Sequence, residues 1–416
     1  MRDMNFYLLF GLFPKEMQDE IYKNSKRDVQ NAANILQWNI VRALDEAGGD
    51  ELNFEIVNSL YVPSYPKGYK QAFIPSMPFS HKEGAKDFNV GFFNPYLLAS
   101  TFKYWSLKKH FRKKLKNNSD DTTILFYALT LPFAKLARYV KKKYPQVQVC
   151  AVVPDLPQYM DTQKGKKAWY KRIVKEKRIK AVYSCTKFID KFIVLTESMK
   201  KDLNTENYMV MEGIAPKFKE FSYVQRDKKI ILYAGTLNKR YGIMDLVEAF
   251  SDASKENADL ELHIYGYGDS VSAIKEASSN NPAIKYFGNI SSDALQNAIL
   301  NADVLVNPRK NNEVFTKFSF PSKNLDYLSY GIPFVGYKLD GVPSEYYSYI
   351  LSPDGDENVE LAQKLLEAAS MSRDERYDYY MRVRNFIENN KTCLIQGQRI
   401  IDFLFKKEEL CRNDNE

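Results

Sequence analysis

The chain has 416 residues, of which 44% are hydrophobic and 27% are charged, and its formal net charge is +8. This length exceeds one ordinary hydrophobic core and predicts two domains, while the composition excludes a disordered chain. The four cysteines lack metal-ligand or disulfide spacing, which favours a reducing compartment, and three histidines exclude an imidazole-rich metal site. No apolar run of the sequence reaches the roughly 18–20 residues that a membrane span needs.

The first apolar run, FYLLFGLF (residues 6–13), resembles the short hydrophobic region of a signal peptide. Asp3 spoils a basic leader, no small-residue cleavage site follows, and Pro14 ends the run, so we predict a buried strand instead. The prediction is therefore a cytoplasmic protein, with a peripheral position on the cytoplasmic membrane face as an option.

Short apolar runs alternate with amphipathic stretches along the first half of the chain. The pattern predicts strands over residues 5–12, 123–129, 147–153, 192–196 and 208–212, and helices over 28–46, 131–143 and 166–183. Strands that alternate with helices indicate a parallel sheet covered on both faces.

The second half repeats the pattern after a polar stretch at residues 216–227. It predicts strands over residues 229–236, 260–266, 284–288, 302–308 and 333–337, and helices over 243–250, 292–300, 321–331, 373–389 and 396–410. The predicted fold class is α/β, with two doubly wound Rossmann-like domains that face each other across a cleft. The predicted domains are 1–216 and 217–390, followed by a C-terminal helix within 391–416 that can pack back on the first domain.

Two loops of the second half follow strands, where doubly wound sheets bind their ligands. In GTLNKRYG (235–242), Gly235 lets backbone approach a ligand, and Lys239 and Arg240 suit a diphosphate. In YGYGD (265–269), Gly266 and Gly268 permit close packing of a base or ribose. Each loop alone also fits an ordinary tight turn.

The stretch FSFPSKNLDYLSYG (318–331) predicts a helix that begins near Pro321. Lys323 near its start opposes the helix dipole, which favours anions there, so the pattern indicates a bound anion. Ser322 and Lys323 can bind phosphate, and Asp326 lies on the same face, where it can accept hydrogen bonds from ribose. The alternative is a surface Lys–Asp pair, which contributes about 0.3–0.5 kcal/mol on a helix.

These strings, together with ADVLVNPR (302–309), resemble in order and spacing the C-terminal domain of the GT-B-fold retaining glycosyltransferases of the large group 1 family. The similarity covers about residues 229–370. It implies a nucleotide-sugar donor, a UDP- or GDP-sugar, and no cofactor or metal. It also implies that the diphosphate meets Ser322 and Lys323, that Asp326 meets the ribose, and that the other donor-binding residues are Gly235, Thr236, Lys239, Arg240, Gly266 and Gly268.

The sequence departs from the family pattern at three positions. Thr236 and Tyr241 replace the usual arginine and lysine of the first loop, and Lys239 and Arg240 are the candidate compensation. The family often has an acid eight residues before Asp326 that meets the donor sugar, but Phe318 stands there. Glu313 is the candidate replacement and, with Lys323, a candidate catalytic residue. The donor sugar stays open at this point.

Two loops of the first half carry the acceptor-side predictions. Asp155, in VVPDLPQYMD (152–161), follows a strand and can orient an acceptor hydroxyl or take its proton. A turn or capping aspartate beside Pro154 is the alternative. Gly11, in GLF (11–13), would let an acceptor approach the backbone.

Two stretches are strongly basic. Residues 103–116 hold seven Lys or Arg and no acid, and residues 164–180 hold nine and one acid, both with interleaved aromatic residues. Such helices are suited to bind an anionic membrane surface. The alternative is that the basic residues form the solvent-exposed face of an amphipathic helix that packs on the core. A nucleic-acid surface is not expected, because no recognised nucleic-acid motif accompanies them.

The predicted function is transfer of a sugar, with retention, from a nucleotide-sugar to a glycan or lipid-linked acceptor. The alternatives are a GT-B-fold sugar-nucleotide epimerase and a non-catalytic nucleotide-sugar or polyanion binder, which the replaced acid at Phe318 keeps open. The DxD string Asp354–Asp356 is interpreted as a turn or helix N-cap and not as a metal site.

Overall fold

A computed structural model describes residues 4–27, 29–117, 119–160 and 169–406 of the chain. It divides into two compact units. The first comprises the described residues up to Ile214 together with those from Cys393 onward, and the second runs from Ala215 to Thr392. The predicted boundaries, after residues 216 and 390, lie two residues from these.

The first unit is built on a large sheet. Its elements up to residue 214 are, in chain order, β1 (Asn5–Phe10), α1 (Gln18–Asn24), α2 (Asn31–Gly48), β2 (Glu55–Asn58), β3 (Phe73–Ile74), β4 (Met77–Phe79), β5 (Asp87–Asn89), β6 (Phe92–Phe93), α3 (Ala99–Lys114), β7 (Thr122–Tyr127), α4 (Leu131–Lys143), β8 (Gln148–Val153), α5 (Trp169–Thr186), β9 (Lys191–Val194), α6 (Met199–Leu203) and β10 (Tyr208–Val210). The strand order is β10-β9-β8-β7-β1-β2-β5-β4, parallel except for the edge pair β4–β5. The short strands β3 and β6 pair separately, antiparallel.

The second unit has a smaller, all-parallel sheet of order β13-β12-β11-β14-β15. Its elements are β11 (Lys229–Ala234), α7 (Ile243–Glu256), β12 (Leu260–Tyr265), α8 (Val271–Asn280), β13 (Ile284–Gly288), α9 (Ser292–Leu300), β14 (Val304–Asn307), α10 (Ser322–Leu328), β15 (Phe334–Gly336), α11 (Asn358–Ser370) and α12 (Arg373–Asn390). Leucine, isoleucine and valine side chains of the three central strands form its core with α7 and α11. The predicted α/β fold class with two parallel sheets is therefore confirmed.

The last helix, α13 (Cys393–Phe405), belongs to the first unit and packs along α2. Gly397 makes the close approach possible, because a Cβ atom there would lie 1.9 Å from the carbonyl oxygen of Ala43. Ile400, Ile401 and Leu404 extend the core of the large sheet. Among the helices that the structure describes, none is both long enough and apolar enough to cross a bilayer.

The sequence predictions missed one part of the fold almost entirely. Between residues 55 and 93 the chain forms the strands β2 to β6, each of two to four residues. Such short strands show too few alternations for a periodicity argument. Residues 161–168, where the predicted helix 166–183 begins, lie outside the described residues, and so do residues 407–410 of the predicted helix 396–410.

Candidate functional site

Helix α10 is tied to the end of strand β11 by one tyrosine. The hydroxyl of the buried Tyr327 accepts a hydrogen bond from the Ala234 amide (2.9 Å) and donates one to the Ala234 carbonyl (3.2 Å). Lys323 lies one turn earlier on the same face of the helix. It is therefore held over Gly235, where an added Cβ atom would lie 1.8 Å from the lysine Nζ atom.

Lys323 forms no ion pair with a carboxylate of the residues that the structure describes. Its Nζ atom donates a hydrogen bond to the Tyr233 hydroxyl (3.0 Å) and lies 4.2 Å from the centre of that ring. The same hydroxyl donates to the Thr236 carbonyl (3.0 Å), so its lone pair is left for the lysine. Desolvation lowers the pKa of Lys323 to about 7, Asp326 opposes that shift, and Arg309 adds to it. A desolvated ammonium without a counter-ion favours a bound anion.

Asp326 does not form the surface ion pair with Lys323 that the sequence left open, since the lysine turns to Tyr233 instead. The surrounding protein desolvates the Asp326 carboxyl and raises its pKa to about 6, and Lys323 opposes the shift. The side chain is nevertheless exposed, so a ligand can reach it. Ser322, the first residue of α10, is also exposed and its hydroxyl does not cap the helix.

A second cationic group, the guanidinium of Arg309, lies just after β14 and was not among the residues predicted from the sequence. Arg309 is 8% exposed, and its guanidinium lies 4.9 Å from the Phe315 ring centre and 5.7 Å from that of Tyr241. Arg240 lies against the same rings, at 4.8 Å from Tyr241 and 5.8 Å from Phe315. We call these four residues the arginine cluster. The only sequence signal for Arg309 was its place directly after the strand in ADVLVNPR.

A cavity opens beyond the carboxyl ends of β11, β12 and β13. It is lined by Ala234, Gly235, Thr236, Tyr265, Gly266, Tyr267, Asn289, Ile290 and Leu295. Gly266 and Gly268 shape this end of the sheet, because Cβ atoms there would lie 1.9 Å from the Gly235 oxygen and 2.1 Å from the Leu237 oxygen. The two glycines are thus required by packing, and their contact with a ligand stays a prediction.

The remaining donor-side predictions lie further out. Lys239 is exposed, and its backbone amide donates a hydrogen bond to the Asp269 carboxylate (3.2 Å). Glu313 is exposed at the start of the loop that leads to Phe318, whose side chain is buried, with 7% of its surface exposed. Both charged side chains are exposed, and no contact given for the described residues fixes their charged groups as Tyr233 fixes that of Lys323.

The first unit brings the two acceptor-side predictions together. Gly11 and Asp155 line one cavity with Gln37, Tyr61 and Tyr127, at the carboxyl ends of β1, β2, β7 and β8. The buried Gln37 accepts a hydrogen bond from the Gly11 amide (2.7 Å), which fixes the loop after β1. Desolvation raises the pKa of Asp155 and also that of Tyr127, to which the charge of Asp155 adds. A carboxylate with a raised pKa is suited to accept a proton.

The basic stretch 103–116 is only partly available to a partner. Leu107, Phe111 and Leu115 are buried in the core, and Lys103 donates hydrogen bonds to the Ser59 and Leu60 carbonyls. The exposed side of this region is a stripe at spacings of three and four residues, which we call the α3 stripe: Leu98, Phe102, Trp105, Lys109, Arg112 and Lys116. Residues 164–168 of the second basic stretch lie outside the described part of the chain.

The DxD string lies in a bend before α11, in agreement with the turn interpretation of Asp356, and the N-cap of that helix is the next residue, Glu357. Within the described ranges, the side chains of His, Cys, Asp and Glu form no group of three that could hold a metal ion.

The family match to known proteins lies within the second unit. Residues 228–370 match the profile of the family described as glycosyl transferases group 1. A search of curated protein sequences gives no match.

Solved structures resemble the whole chain. A lipopolysaccharide outer core galactosyltransferase, WaaB, superposes with a TM-score of 0.63 at 14% identity, over 97% of this chain and 99% of that one. Sucrose-phosphate synthase from Thermosynechococcus elongatus gives 0.60 at 13% identity, over 96% and 99%. A variant of S. aureus TarM, solved in complex with fondaparinux, α-GlcNAc-glycerol and UDP, gives 0.57 at 11% identity, over 96% and 99%. Similarity at this level of identity establishes the GT-B fold.

Proposed function

We propose that the chain is a group 1 glycosyltransferase, whose family profile residues 228–370 match. It would transfer a sugar from a nucleotide-sugar, bound by the second unit, to an acceptor bound by the first. The observation that carries the proposal is the position of Lys323 over Gly235, where it is desolvated and makes no ion pair with any carboxylate in the described ranges. A UDP- or GDP-sugar is the proposed donor, and UDP is present in the solved complex of the structurally similar TarM.

The proposed chemistry depends on charge at the leaving group. As the bond between the sugar and the diphosphate breaks, negative charge accumulates on the diphosphate, and Lys323 is positioned to stabilise it. The approach of an anion raises the pKa of Lys323 from about 7, so the charged form is restored when it is needed. Asp326 is the proposed acceptor of ribose hydrogen bonds. In line with the family, we propose that the anomeric configuration is retained and that no metal takes part.

The acceptor is proposed to bind in the cavity that contains Asp155. Tyr61, which is 46% exposed, offers an aromatic face for a sugar ring, and Gly11 leaves room for close approach to the backbone. Asp155 would orient the acceptor hydroxyl or take its proton. A glycan, or the glycan part of a lipid-linked acceptor, fits these features.

We propose that the α3 stripe contacts an anionic membrane surface on the cytoplasmic side. Its N-terminal half is apolar, with Trp105 56% and Leu98 53% exposed, and its C-terminal half is cationic. At a bilayer surface the apolar residues could contact the acyl chains while the neighbouring cations contact the anionic headgroups. Trp169, at 72% exposure, adds a second aromatic anchor at the start of α5.

Vesicle co-sedimentation tests the membrane proposal. Binding to vesicles that contain anionic phospholipid is expected at low salt, and Trp105→Ser should weaken it several-fold. Val359→Ser changes an apolar residue of the second unit with similar exposure, 51% against 56%, and should not weaken it. Equal binding of both variants, or no binding to anionic vesicles, would contradict it.

A thermal-shift panel of nucleotide-sugars tests the catalytic proposal, because a ligand that binds only the folded state raises the melting temperature. The stabilising donor is then incubated with and without glycan acceptors, and products are identified by mass spectrometry and NMR. Transfer supports the proposal. Conversion of the sugar nucleotide in the absence of acceptor would identify an epimerase. Binding without transfer or hydrolysis above background would identify a non-catalytic binder. The observation that favours this last alternative is Phe318, which replaces the acid that the family often has at this position.

A further inference from the structure

The arginine cluster has two cations, and no carboxylate of the described part of the chain lies within ion-pair distance of either. Arg240 and Arg309 share the rings of Tyr241 and Phe315. Desolvation lowers the pKa of Arg309, and the charge of Arg240 lowers it further. Neither guanidinium forms an ion pair within 4 Å with any carboxylate of the described residues. Two like charges held side by side raise the free energy of the empty site, and a bound anion would lower it.

Both guanidiniums also keep a buried N–H group without a partner in the described chain. These are Nη2 of Arg309 and Nε of Arg240. The Nη2 group of Arg240 donates to the Tyr241 hydroxyl (2.9 Å), so its plane is fixed. Buried donors are nearly always satisfied in native proteins, and an unsatisfied pair at a candidate ligand site indicates a ligand with acceptor oxygens.

The position of the cluster in the sheet indicates which part of the ligand it meets. The cavity lies beyond β13, β12 and β11, Lys323 lies over Gly235 at the end of β11, and Arg309 follows β14, the next strand in the sheet. A nucleotide-sugar with its base in the cavity and its diphosphate at Lys323 therefore directs its sugar toward β14. The 239–242 turn lies over the same strand end, because a Cβ atom on Gly242 would lie 2.0 Å from the Pro308 oxygen.

The neighbouring carboxylates do not neutralise this position. Phe318 stands where the family often has an acid for the sugar hydroxyls, and its side chain is buried. Glu313 is exposed, and its charge reaches Arg309 only from beyond ion-pair distance. The sugar end of the site is thus cationic where a site for a neutral sugar would place a carboxylate.

We propose that the donor sugar itself carries an acid group, such as the carboxylate of a uronic acid, and that Arg309 and Arg240 bind it. This inference rests on the proposed nucleotide-sugar function and names the substrate class of that site. Planar guanidiniums bind planar carboxylates through paired hydrogen bonds, and the two rings that hold the guanidiniums leave their remaining N–H groups for that purpose.

Calorimetric titration of matched donor pairs tests the inference. The pairs are UDP-glucose and UDP-glucuronate, UDP-galactose and UDP-galacturonate, and GDP-mannose and GDP-mannuronate, with UDP and GDP alone as references. In the wild-type protein the acid member of at least one pair should bind about tenfold or more tightly than its neutral member. Arg309→Gln should abolish that preference and leave the affinity for the bare nucleoside diphosphate within about threefold. Lys310→Ala is the matched control, because its ammonium lies 3.6 Å from the Asp245 carboxylate instead, and it should keep the preference.

Two results would overturn the inference. In the first, the neutral member of every pair binds as tightly as the acid member. In the second, Arg309→Gln weakens the bare diphosphate as much as the acid donor, which would make Arg309 a diphosphate ligand. The wild-type pairs decide the matter even if the variant does not fold. If neither the nucleotides nor any donor binds, both this inference and the proposed function fail, and the bare diphosphates identify that case.

Discussion

The candidate sites at the carboxyl edges of the two sheets differ in their charged side chains. In the second unit, Lys323, Arg240 and Arg309 gather around the ends of β11 and β14 without carboxylate partners in the described chain. In the first unit, the charged residue among those that line the cavity is Asp155. This difference supports the proposed division of roles, in which the second unit binds an anionic donor and the first unit binds an acceptor hydroxyl group and takes its proton.

The two edges also differ in how firmly their charged groups are held. Tyr327 fixes α10 through two hydrogen bonds to Ala234, and Tyr233 holds the Lys323 ammonium. Asp155 is exposed in a loop after β8. We therefore expect the donor edge to be preformed and the acceptor edge to adjust on binding.

The largest effect should come from Lys323→Ala, which removes the central cation of the donor edge. We expect turnover to fall about 10³-fold, because charge on the leaving diphosphate loses its stabilisation. Steady-state transfer kinetics measure it. Lys255→Ala, an exposed lysine of α7 that pairs with Asp252, is the control and should retain full activity.

Folding should survive the Lys323→Ala change, since it removes a desolvated cation that costs stability. The melting temperature of the ligand-free variant should therefore equal or exceed that of the wild type. Full activity in a folded variant would show that the cationic edge does not serve the reaction.

A smaller effect is expected from Asp155→Asn, which removes the charge of the acceptor edge alone. Transfer should fall about 10²-fold, while donor affinity stays within about twofold, because the donor does not contact this residue in our account. Single-turnover transfer and donor titration measure the two quantities separately. A matched loss of donor affinity would break the proposed division between the edges.

The pH dependence of donor affinity should give the smallest effect. The ligand-free pKa of Lys323 is about 7, so the binding-competent ammonium predominates below that pH, and affinity should decline by up to about tenfold per pH unit above it. Below about pH 6, protonation of Asp326 should also weaken binding. A nucleotide-sugar is the right probe, because its diphosphate does not titrate near neutrality.

Lys323→Arg separates the two branches of this profile. Its guanidinium stays charged throughout, so the decline above pH 7 should disappear while the decline below pH 6 remains. An unchanged alkaline branch in this variant would assign it to another group.

Sequence reasoning could place Lys323, Asp326 and Gly235 at one edge of the second sheet, because they lie in short loops and helix starts that follow regular strands; their contact with a donor stays a prediction. Lys323 and Asp326 could be predicted from one helix start, and Gly235 from one strand end. A role for Arg309 could not be predicted from the sequence. Its guanidinium is buried against Tyr241 and Phe315 and keeps an N–H group without a partner in the described chain, and only the folded structure shows these features.

The basic helix shows the opposite limit. Judged by composition, residues 103–116 form one continuous basic and aromatic stretch. In the structure, Leu107, Phe111 and Leu115 are buried, whereas Trp105 is exposed. Helical periodicity could have made this separation, whereas the short strands between residues 55 and 93 depend on tertiary pairing that no local pattern reveals.

Hydrogen–deuterium exchange with a bound nucleotide-sugar tests the central claim most directly, because it reports where along the chain the donor slows amide exchange. Our account predicts slower exchange in residues 234–242 and 321–326 of the wild-type protein and in Asp155→Asn, and none of this protection in Lys323→Ala. Protection confined to residues 11–13 and 154–156, with the second unit unchanged, would contradict it.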